Sequence, residues 1–366
     1  MENKPEILES PKDPVLQEDL DLLVRDKSVP FDMLKGKTVF VTGATGLLGA
    51  QVVKTLACSN RVMGTDIQVL AFARSREKAE RVFGDLLNRG DVQVVLGDID
   101  GQIKYDGHVD YIAHGASATS SRYFVSNPVE TILTAVNGTL HVLEFAREKQ
   151  AEGFLYLSSL EVYGTPADDA GMIDESYSGY IDPLKVRSSY SEGKRMVECL
   201  CASYAAEYGV PVKIARLSQT FGAGVEYNDG RVFAEFIRCA LEKKDIVLHT
   251  DGKTVRSYCY TKDAVAAMLL ILLKGESGAA YNVTNMDTKI SIADMAQLVC
   301  DTFQEAGIHV TFDLPDDVDS YGYNPQMVIA LDSSRLLALG WKPTTALREM
   351  FLRSAASMAD AGRSGS

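Results

Sequence analysis

The chain has 366 residues, of which 46% are hydrophobic and 24% are charged, a balance typical of a globular protein with one large domain or two. The formal net charge of -13 argues against a nucleic-acid-binding surface, because binding phosphates requires a basic patch. The longest apolar run, residues 264–273, is about half the length that a membrane span needs, so we expect no contact with a membrane interior.

The first 35 residues are predicted to form a polar N-terminal extension. This segment lacks a basic stretch followed by an apolar one, so we expect neither a signal peptide nor a transit peptide and infer a cytoplasmic location. Six scattered cysteines indicate neither a disulfide framework nor a metal site.

An apolar strand over residues 38–42 is followed by the sequence VTGATGLLG and a helical pattern. The glycines at positions 43, 46 and 49 occupy the turn between strand and helix. In that place they let backbone amides approach a pyrophosphate at the helix N-terminus. The alternative is an ordinary tight turn without a ligand; the position at the first strand favours a dinucleotide.

The second predicted strand, residues 67–73, is followed by Arg74 and Arg76 and by no carboxylate. An acidic residue at this place binds the ribose of NAD, whereas an arginine accommodates the 2′-phosphate of NADP. Arg74 therefore favours NADP, unless it stacks on the adenine or faces solvent.

Further apolar segments alternate with helical patterns such as residues 127–150, which predicts an α/β fold with a doubly wound, Rossmann-type parallel sheet and a smaller C-terminal substrate-binding lobe. The additional strands are predicted at residues 92–99, 110–116, 153–159 and 211–217. The predicted organisation is an extension (1–35), a dinucleotide-binding domain (36–220, with a returning segment at about 247–274), the lobe (221–246 and 275–350) and a flexible tail (351–366).

Tyr190 and Lys194 lie four residues apart in a predicted helix, on one face. A tyrosine acts as a base near neutral pH only when a cation stabilises its phenolate, and Lys194 offers that charge. Tyr258 and Lys262 have the same spacing. Only the first pair follows a strand that ends in two hydroxyls, Ser158 and Ser159, so a site for hydride transfer at a carbinol is the coherent interpretation.

With these residues the chain resembles the extended short-chain dehydrogenases/reductases, in particular the nucleotide-sugar epimerases, dehydratases and decarboxylases. The resemblance covers roughly residues 36–345 and rests on motifs that occur in order: TGATGLLG, GDI, HGAS, VNGT, SSLEVYG, YSEGK, RLSQTFG, RSYCYTKD, YNVTN and LGWKP. Within the group, the chain is most similar to the UDP-glucuronate decarboxylases. The resemblance implies a nucleotide-sugar substrate, tightly held NAD and a homodimer.

The resemblance also implies roles for individual residues. Ser159 would hydrogen-bond the sugar 4-hydroxyl, Tyr190 would deprotonate it, Lys194 would lower the pKa of Tyr190, and Glu161 matches an active-site glutamate. The implied cofactor-binding residues are Gly43, Thr45, Gly46, Leu47, Leu48, Gly49, Arg74, Asp98, Ile99, Ala116, Asn137, Tyr190 and Lys194. The implied substrate-binding residues are Gln219, Arg231 and Arg256, the two arginines holding the nucleotide diphosphate. Arg122 could reach a substrate carboxylate, but a loop arginine more often faces solvent.

Some positions depart from the family pattern. Leu160 stands where 4,6-dehydratases have a proton-donating aspartate, which disfavours dehydration. Decarboxylases usually have a small hydroxyl residue at that position, an asparagine at the position of Gln219 and an acidic residue after the second strand, so these departures also weaken the decarboxylase assignment. The matching arginines and the YSEGKR motif place decarboxylation slightly ahead of 4-epimerisation, with 4,6-dehydration less favoured. A non-catalytic dinucleotide sensor on the same fold is the alternative of a different class.

Overall fold

The computed structural model describes residues 7–117, 121–167, 170–314 and 327–363. The strands are β1 (Thr38–Thr42), β2 (Gln68–Ala73), β3 (Val92–Leu96), β4 (Tyr111–His114), β5 (Gly153–Ser159), β6 (Met172–Ile173), β7 (Val212–Leu217), β8 (Gln219–Phe221), β9 (Ile246–Leu248), β10 (Val255–Tyr260), β11 (Ala280–Val283), β12 (Asn285–Ser291), β13 (Val310–Phe312) and β14 (Ala330–Leu331). The helices are α1 (Pro14–Arg25), α2 (Leu47–Met63), α3 (Arg76–Phe83), α4 (Ser121–Ser126), α5 (Pro128–Lys149), α6 (Ser188–Tyr208), α7 (Val232–Glu242), α8 (Thr261–Lys274), α9 (Ile292–Thr302), α10 (Ser334–Ala338) and α11 (Leu347–Arg363).

Seven parallel strands form the main sheet, in the order β11-β7-β5-β4-β1-β2-β3. Alternate residues of β1 face opposite layers: Val39 and Val41 pack in one core with α2 and α8, and Phe40 packs in the other with α5 and α6. The strand order reverses between β1 and β4, where ligands bind at the carboxyl ends of an open α/β sheet. The predicted doubly wound fold is confirmed.

The C-terminal lobe is built on the three-stranded sheet β12-β10-β8. Its core contains the stacked rings of Phe221 and Phe233, whose centres are 4.5 Å apart, together with side chains of α7, α9 and α11. Of the predicted returning segment, α8 packs against β5 and β7 of the main sheet, whereas β10 is the central strand of the lobe sheet.

Two parts of the predicted organisation were wrong. β11 pairs with β7 and forms the edge of the main sheet, although residues 280–283 were assigned to the lobe. The predicted flexible tail begins inside α11, where Phe351 and Met358 are fully buried in the lobe core. Both errors have one cause: pairing and burial against residues distant in the chain leave little trace in local composition.

The N-terminal extension is an integral part of the fold. Helix α1 buries Leu16, Leu20 and Leu23 against α2 and α8. Before it, the buried carboxylate of Glu9 accepts hydrogen bonds from Arg61 on α2 and from Arg89. Glu9, Asp21 and Cys58 approach one another closely enough to hold a metal ion, but the guanidinium of Arg61 donates to all three. We interpret this cluster as an ion pair.

Within the described residues, none of the helices is both long enough and apolar enough to cross a bilayer. The cytoplasmic location stays a prediction.

Candidate active site

The glycine-rich loop connects β1 to α2 at the point where the strand order reverses. Gly43 has φ +65°, and a Cβ on it would lie 2.7 Å from the backbone of Gly115. A Cβ on Gly49 would lie 2.2 Å from the carbonyl oxygen of Gly43. Gly46 caps α2 without a side-chain hydrogen bond, so the first N–H groups of the helix stay available to an anion. This loop fits the pyrophosphate of a dinucleotide.

The other predicted cofactor-binding residues surround this loop or follow neighbouring strands. Thr45, Leu47 and Leu48 are half-buried in the loop and the first turn of α2. The amide of Ala116, after β4, donates to the hydroxyl of Thr42 over 3.2 Å. A second group of predicted cofactor-binding residues lies after β3 and on α5. Exposed Asp98 and buried Ile99 follow β3. Asn137 is exposed on α5 and precedes Gly138, which packs against Ile99.

Arg74 is exposed directly after β2, and Ser75 caps α3 by accepting a hydrogen bond from the Lys78 amide. Among the described residues, no carboxylate pairs with Arg74. The structure therefore keeps, at this strand end, the feature that favours NADP.

Ser159 and Tyr190 meet at the carboxyl end of β5. Ser159 is the last residue of β5, and its hydroxyl accepts a hydrogen bond from the Glu161 amide over 3.3 Å. Tyr190 lies in the first turn of α6 and stacks on the ring of Phe124 with ring centres 4.2 Å apart. Ser158 points elsewhere and donates to Glu198. Of the two candidate hydroxyls, Ser159 is the one near enough to Tyr190 to lower the pKa of the tyrosine.

Lys194 is buried one helical turn after Tyr190. Its Nζ donates to the Leu157 carbonyl oxygen over 2.8 Å and lies 5.7 Å from the centre of the Tyr190 ring. Burial lowers the pKa of Lys194 to about 8, against a smaller opposing effect of the Glu198 carboxylate. The Lys194 ammonium is therefore held beside the tyrosine by a backbone carbonyl.

The pKa of Tyr190 is raised above its ordinary value, mainly by burial and secondly by the charge of Glu161. The Ser159 hydroxyl and the charge of Arg187 act in the opposite direction. The Lys194 ammonium, 5.7 Å from the centre of the Tyr190 ring, is a further positive charge beside the phenolate that Tyr190 forms as a base. That Lys194 lowers the pKa of Tyr190 stays a prediction.

Glu161 has a partner on each carboxylate oxygen. Arg187 Nη2 donates to Oε1 over 2.8 Å, and the Ser191 hydroxyl donates to Oε2 over 2.9 Å. The Arg187 guanidinium also lies 5.1 Å from the centre of the Phe124 ring. Arg187, Ser191 and Phe124 were missed by the sequence analysis. A signal did exist for Arg187, since a cation three residues before Tyr190 in a helix lies on the same side.

An ion-pair network next to this site joins α6 to strands β5 and β7. Glu198 on α6 accepts hydrogen bonds from Ser158 on β5 over 2.5 Å and from Arg216 on β7 over 2.7 Å. Arg216 also donates to the hydroxyl of Tyr163. The network fixes α6, and with it Tyr190 and Lys194, against two strands of the main sheet.

His114 at the end of β4 is fully buried, with each ring nitrogen hydrogen-bonded to a threonine hydroxyl, Thr42 and Thr139. Burial lowers its pKa to about 3, so the imidazole is neutral and its role is structural.

The predicted substrate-binding residues lie together in the C-terminal lobe. Gln219 on β8 pairs with Tyr258 of β10, two residues from Arg256. Arg231 precedes α7, donates to the Thr220 carbonyl oxygen and makes a 2.6 Å ion pair with Asp229. The Nε of Arg256 is buried and lacks a hydrogen-bond partner within the described chain. A buried donor without a partner is costly, which is consistent with a ligand group bonding there.

The sequence model of the NAD dependent epimerase/dehydratase family matches residues 39–285. The chain is 33% identical over 315 residues to UDP-glucuronic acid decarboxylase 2 of Arabidopsis thaliana, which covers 86% of this chain and 66% of that relative's length.

Solved structures share the fold at low sequence identity. An epimerase from Methanothermobacter thermautotrophicus has a TM-score of 0.77 and 21% identity, covering 91% of this chain and 95% of that one. UDP-glucuronic acid 4-epimerase from Bacillus cereus, solved in complex with UDP-glucuronic acid and NAD, has a TM-score of 0.73 and 20% identity, covering 88% of this chain and 99% of that one.

Proposed function

Because the chain belongs to the NAD dependent epimerase/dehydratase family, we propose that it modifies a nucleotide sugar through transient oxidation at C4, and that the reaction is decarboxylation of a nucleotide-linked glucuronic acid. The observation that carries the proposal is that Ser159, at the end of β5, and Tyr190, on α6, lie together, with buried Lys194 Nζ 5.7 Å from the centre of the Tyr190 ring and Glu161 next to them. The identity to UDP-glucuronic acid decarboxylases supports the choice of reaction.

NAD, when bound, accepts hydride from C4 of the sugar and later returns it. Tyr190 takes the proton of the 4-hydroxyl while Ser159 hydrogen-bonds its oxygen, which leaves a ketone at C4. In a glucuronic acid this ketone is β to the carboxylate. The C5–C6 bond breaks, its electron pair moves to the C4 oxygen near Ser159 and Tyr190, and CO2 leaves. C5 then takes a proton from solvent, and Tyr190 returns its proton to O4 as the ketone at C4 is reduced again.

The second candidate is 4-epimerisation, favoured by the structural similarity to 4-epimerases. It uses the same oxidation by Tyr190 and Ser159, but the ketone turns over and is reduced on its opposite face. Leu160, buried directly before Glu161, lacks the proton that dehydration of the sugar needs, so 4,6-dehydration is disfavoured.

The two reactions are distinguished by mass spectrometry of the protein incubated with UDP-glucuronic acid and NAD+ or NADP+. Loss of one CO2 from the nucleotide sugar is the expected result. A product of unchanged mass and altered retention time would identify a 4-epimerase. Binding of the nucleotide sugar without turnover would contradict both and favour a non-catalytic sensor.

The proposed cofactor is NAD, with NADP as the alternative that Arg74 supports. Both have the pyrophosphate that the glycine-rich loop fits, so the choice depends on the residues after β2. Calorimetric titration with each dinucleotide tests it: Arg74→Ala should leave NAD+ affinity nearly unchanged and weaken binding of NADP+ if Arg74 contacts the 2′-phosphate. Equal NADP+ affinity in both proteins would refute that contact.

We also propose a homodimer formed through α5 and α6. Val129, Ile132 and Leu133 form an exposed apolar stripe on α5, and Met196 is exposed on the adjacent α6. Exposed apolar stripes of this kind mark protein interfaces.

A further inference from the structure

Arg187 forms an ion pair with Glu161 that none of the family motifs indicated. The two side chains are each 24% exposed, and the distance from Nη2 to Oε1 is 2.8 Å. Since Ser191 holds the second oxygen of Glu161, the carboxylate is fixed in position next to Tyr190. Both charges of this pair thus lie at the reacting centre.

The guanidinium of Arg187 is also held from its other side. It lies 5.1 Å from the centre of the Phe124 ring, and Phe124 stacks on Tyr190. Such a cation–π contact orients a guanidinium without using its N–H donors. One N–H of Arg187 is bonded to Glu161, and the remaining donors have no protein partner among the described residues.

Other cations near the site have fewer N–H donors free to bind a ligand. Lys194 donates to the Leu157 carbonyl, and Arg195 donates to the carbonyls of Val162 and Gly179. Arg231 is paired with Asp229 in the C-terminal lobe. Of these four cations, Arg187 is the one that lies next to Tyr190 and Glu161 and has N–H donors to offer to a ligand.

A substrate carboxylate needs such a cation. If the 4-hydroxyl of the sugar contacts Tyr190 and Ser159, the carboxylate carbon is two bonds from C4 and lies in the same region as Glu161. Two carboxylates that share a site repel each other unless a cation lies between them. A guanidinium has two edges and can bind one carboxylate on each.

Resting on the proposed function, we propose that Arg187 determines substrate specificity: it bridges Glu161 and the carboxylate of the sugar, and so selects nucleotide-linked uronic acids over neutral nucleotide sugars. Arg187 would thereby hold the substrate's carboxylate beside the Tyr190–Ser159 pair.

The test measures binding of UDP-glucuronic acid, UDP-glucose and UDP by calorimetry, with NAD+ present. All variants carry Tyr190→Phe to prevent turnover. We expect Arg187→Gln to weaken binding of UDP-glucuronic acid about 10- to 100-fold, the loss of charge-assisted hydrogen bonds, and to change UDP-glucose and UDP less than about twofold. Arg122→Gln is the matched control, because Arg122 is an exposed arginine of nearby α4, and it should change none of the three.

Glu161→Gln provides an independent readout if Arg187→Gln fails to fold. It removes the competing anion, so UDP-glucuronic acid should bind severalfold more tightly while UDP-glucose is unaffected. In the double variant, loss of the repulsion should restore part of the affinity that Arg187→Gln loses.

Equal weakening of all three ligands by Arg187→Gln would overturn the inference and leave a merely positioning role. It would also be overturned by unchanged binding of UDP-glucuronic acid, or by a selective loss in Arg122→Gln. These outcomes leave the proposed function intact if UDP and the UDP-sugars bind. Failure of the parent Tyr190→Phe protein to bind any of the three would refute the nucleotide-sugar proposal and this inference with it.

Discussion

Burial shifts the pKa values of Tyr190 and Lys194, the two residues at the centre of the site, in opposite directions. It raises the pKa of Tyr190 and lowers that of Lys194 to about 8, because in each case the charged form is desolvated. Tyr190 can therefore take a proton only when other groups stabilise the phenolate, and Ser159, Arg187 and the Lys194 ammonium are the neighbours placed to do so.

Replacing Tyr190 with phenylalanine should lower kcat by at least about 100-fold, since a positioned proton-transfer group contributes 10²–10⁴-fold. Tyr208→Phe is the matched control, because it also removes a hydroxyl from a tyrosine of α6. Tyr208 is exposed in the last turn of the helix, far along the chain from the carboxyl end of β5, so this variant should keep its activity and its stability. Steady-state kinetics on both proteins decides; near-normal turnover of Tyr190→Phe would contradict the proposed mechanism.

Activity should fall as pH rises through about 8, because Lys194 then loses its proton. The pH profile of kcat measures this, and Lys194→Arg should move the alkaline limb to higher pH because arginine stays protonated. An alkaline limb unaltered by this substitution would exclude Lys194 as its origin.

The same group affects stability with a defined sign. The pKa of Lys194 is lower in the folded state than its ordinary 10.5, so the unfolded chain binds the additional proton between about pH 8 and 10.5. The cost of burying this ammonium is fully present below pH 8 and is relieved as pH rises through that window.

For single residues, the sequence was informative where the geometry of a helix or a strand fixes the spacing between side chains. Tyr190 and Lys194 were predicted as a pair because one helical turn separates them. The strand end offered both Ser158 and Ser159, and only the family resemblance chose Ser159. Arg187 escaped notice because its partner, Glu161, is 26 residues away in the chain. An isolated arginine carries no local sign of a partner at that separation.

Among the elements, the turn between β1 and α2 has the strictest steric requirement. Gly49→Ala would place a Cβ 2.2 Å from the Gly43 carbonyl oxygen, so the loop must shift. We expect this variant to lose at least about tenfold in affinity for NAD+, measured by calorimetry, because the loop amides no longer match the pyrophosphate. Gly230→Ala has no atom within 4 Å of the new methyl group and should bind NAD+ normally. Normal binding by Gly49→Ala would argue against this loop as the dinucleotide site.

Helix α1 should contribute to the free energy of unfolding, because its apolar face is buried in the core. Leu20→Ala removes a side chain that is 3% exposed and should lower the free energy of unfolding by about 2–5 kcal/mol. Leu22→Ala makes the same change two residues later at a position that is 48% exposed, and should have a far smaller effect. Denaturant unfolding of both proteins gives the comparison; equal stabilities would show that α1 does not pack as described.

The long strands and helices of the main sheet were predictable because their hydrophobic periods are local. The assignments of β11 and α11 were wrong for the opposite reason. Four residues, Ala280–Val283, become the edge of the main sheet only through pairing with β7, and α11 is ordered by Phe351 and Met358 entering the lobe core. Small polar residues around those two anchors give the segment the composition of a tail.

For the whole molecule, we expect dimer formation through the α5–α6 face. Leu133→Asp places a charge in its apolar stripe, where Leu133 is 48% exposed, and should shift the mass measured by light scattering from dimer toward monomer. Leu352→Asp, at a 40% exposed position on α11, is the control and should leave the mass unchanged. A monomeric wild-type protein at all concentrations would refute the dimer.

The N-terminal extension connects the two halves of the molecule through buried acids. Glu9 binds Arg61 and Arg89 beside the main sheet, whereas Asp19 accepts hydrogen bonds from Tyr260 and Arg353 of the C-terminal lobe. A hinge motion that separates lobe from sheet would have to break one of these sets or bend α1. The extension thus ties the C-terminal lobe to the main sheet and opposes a hinge motion between them.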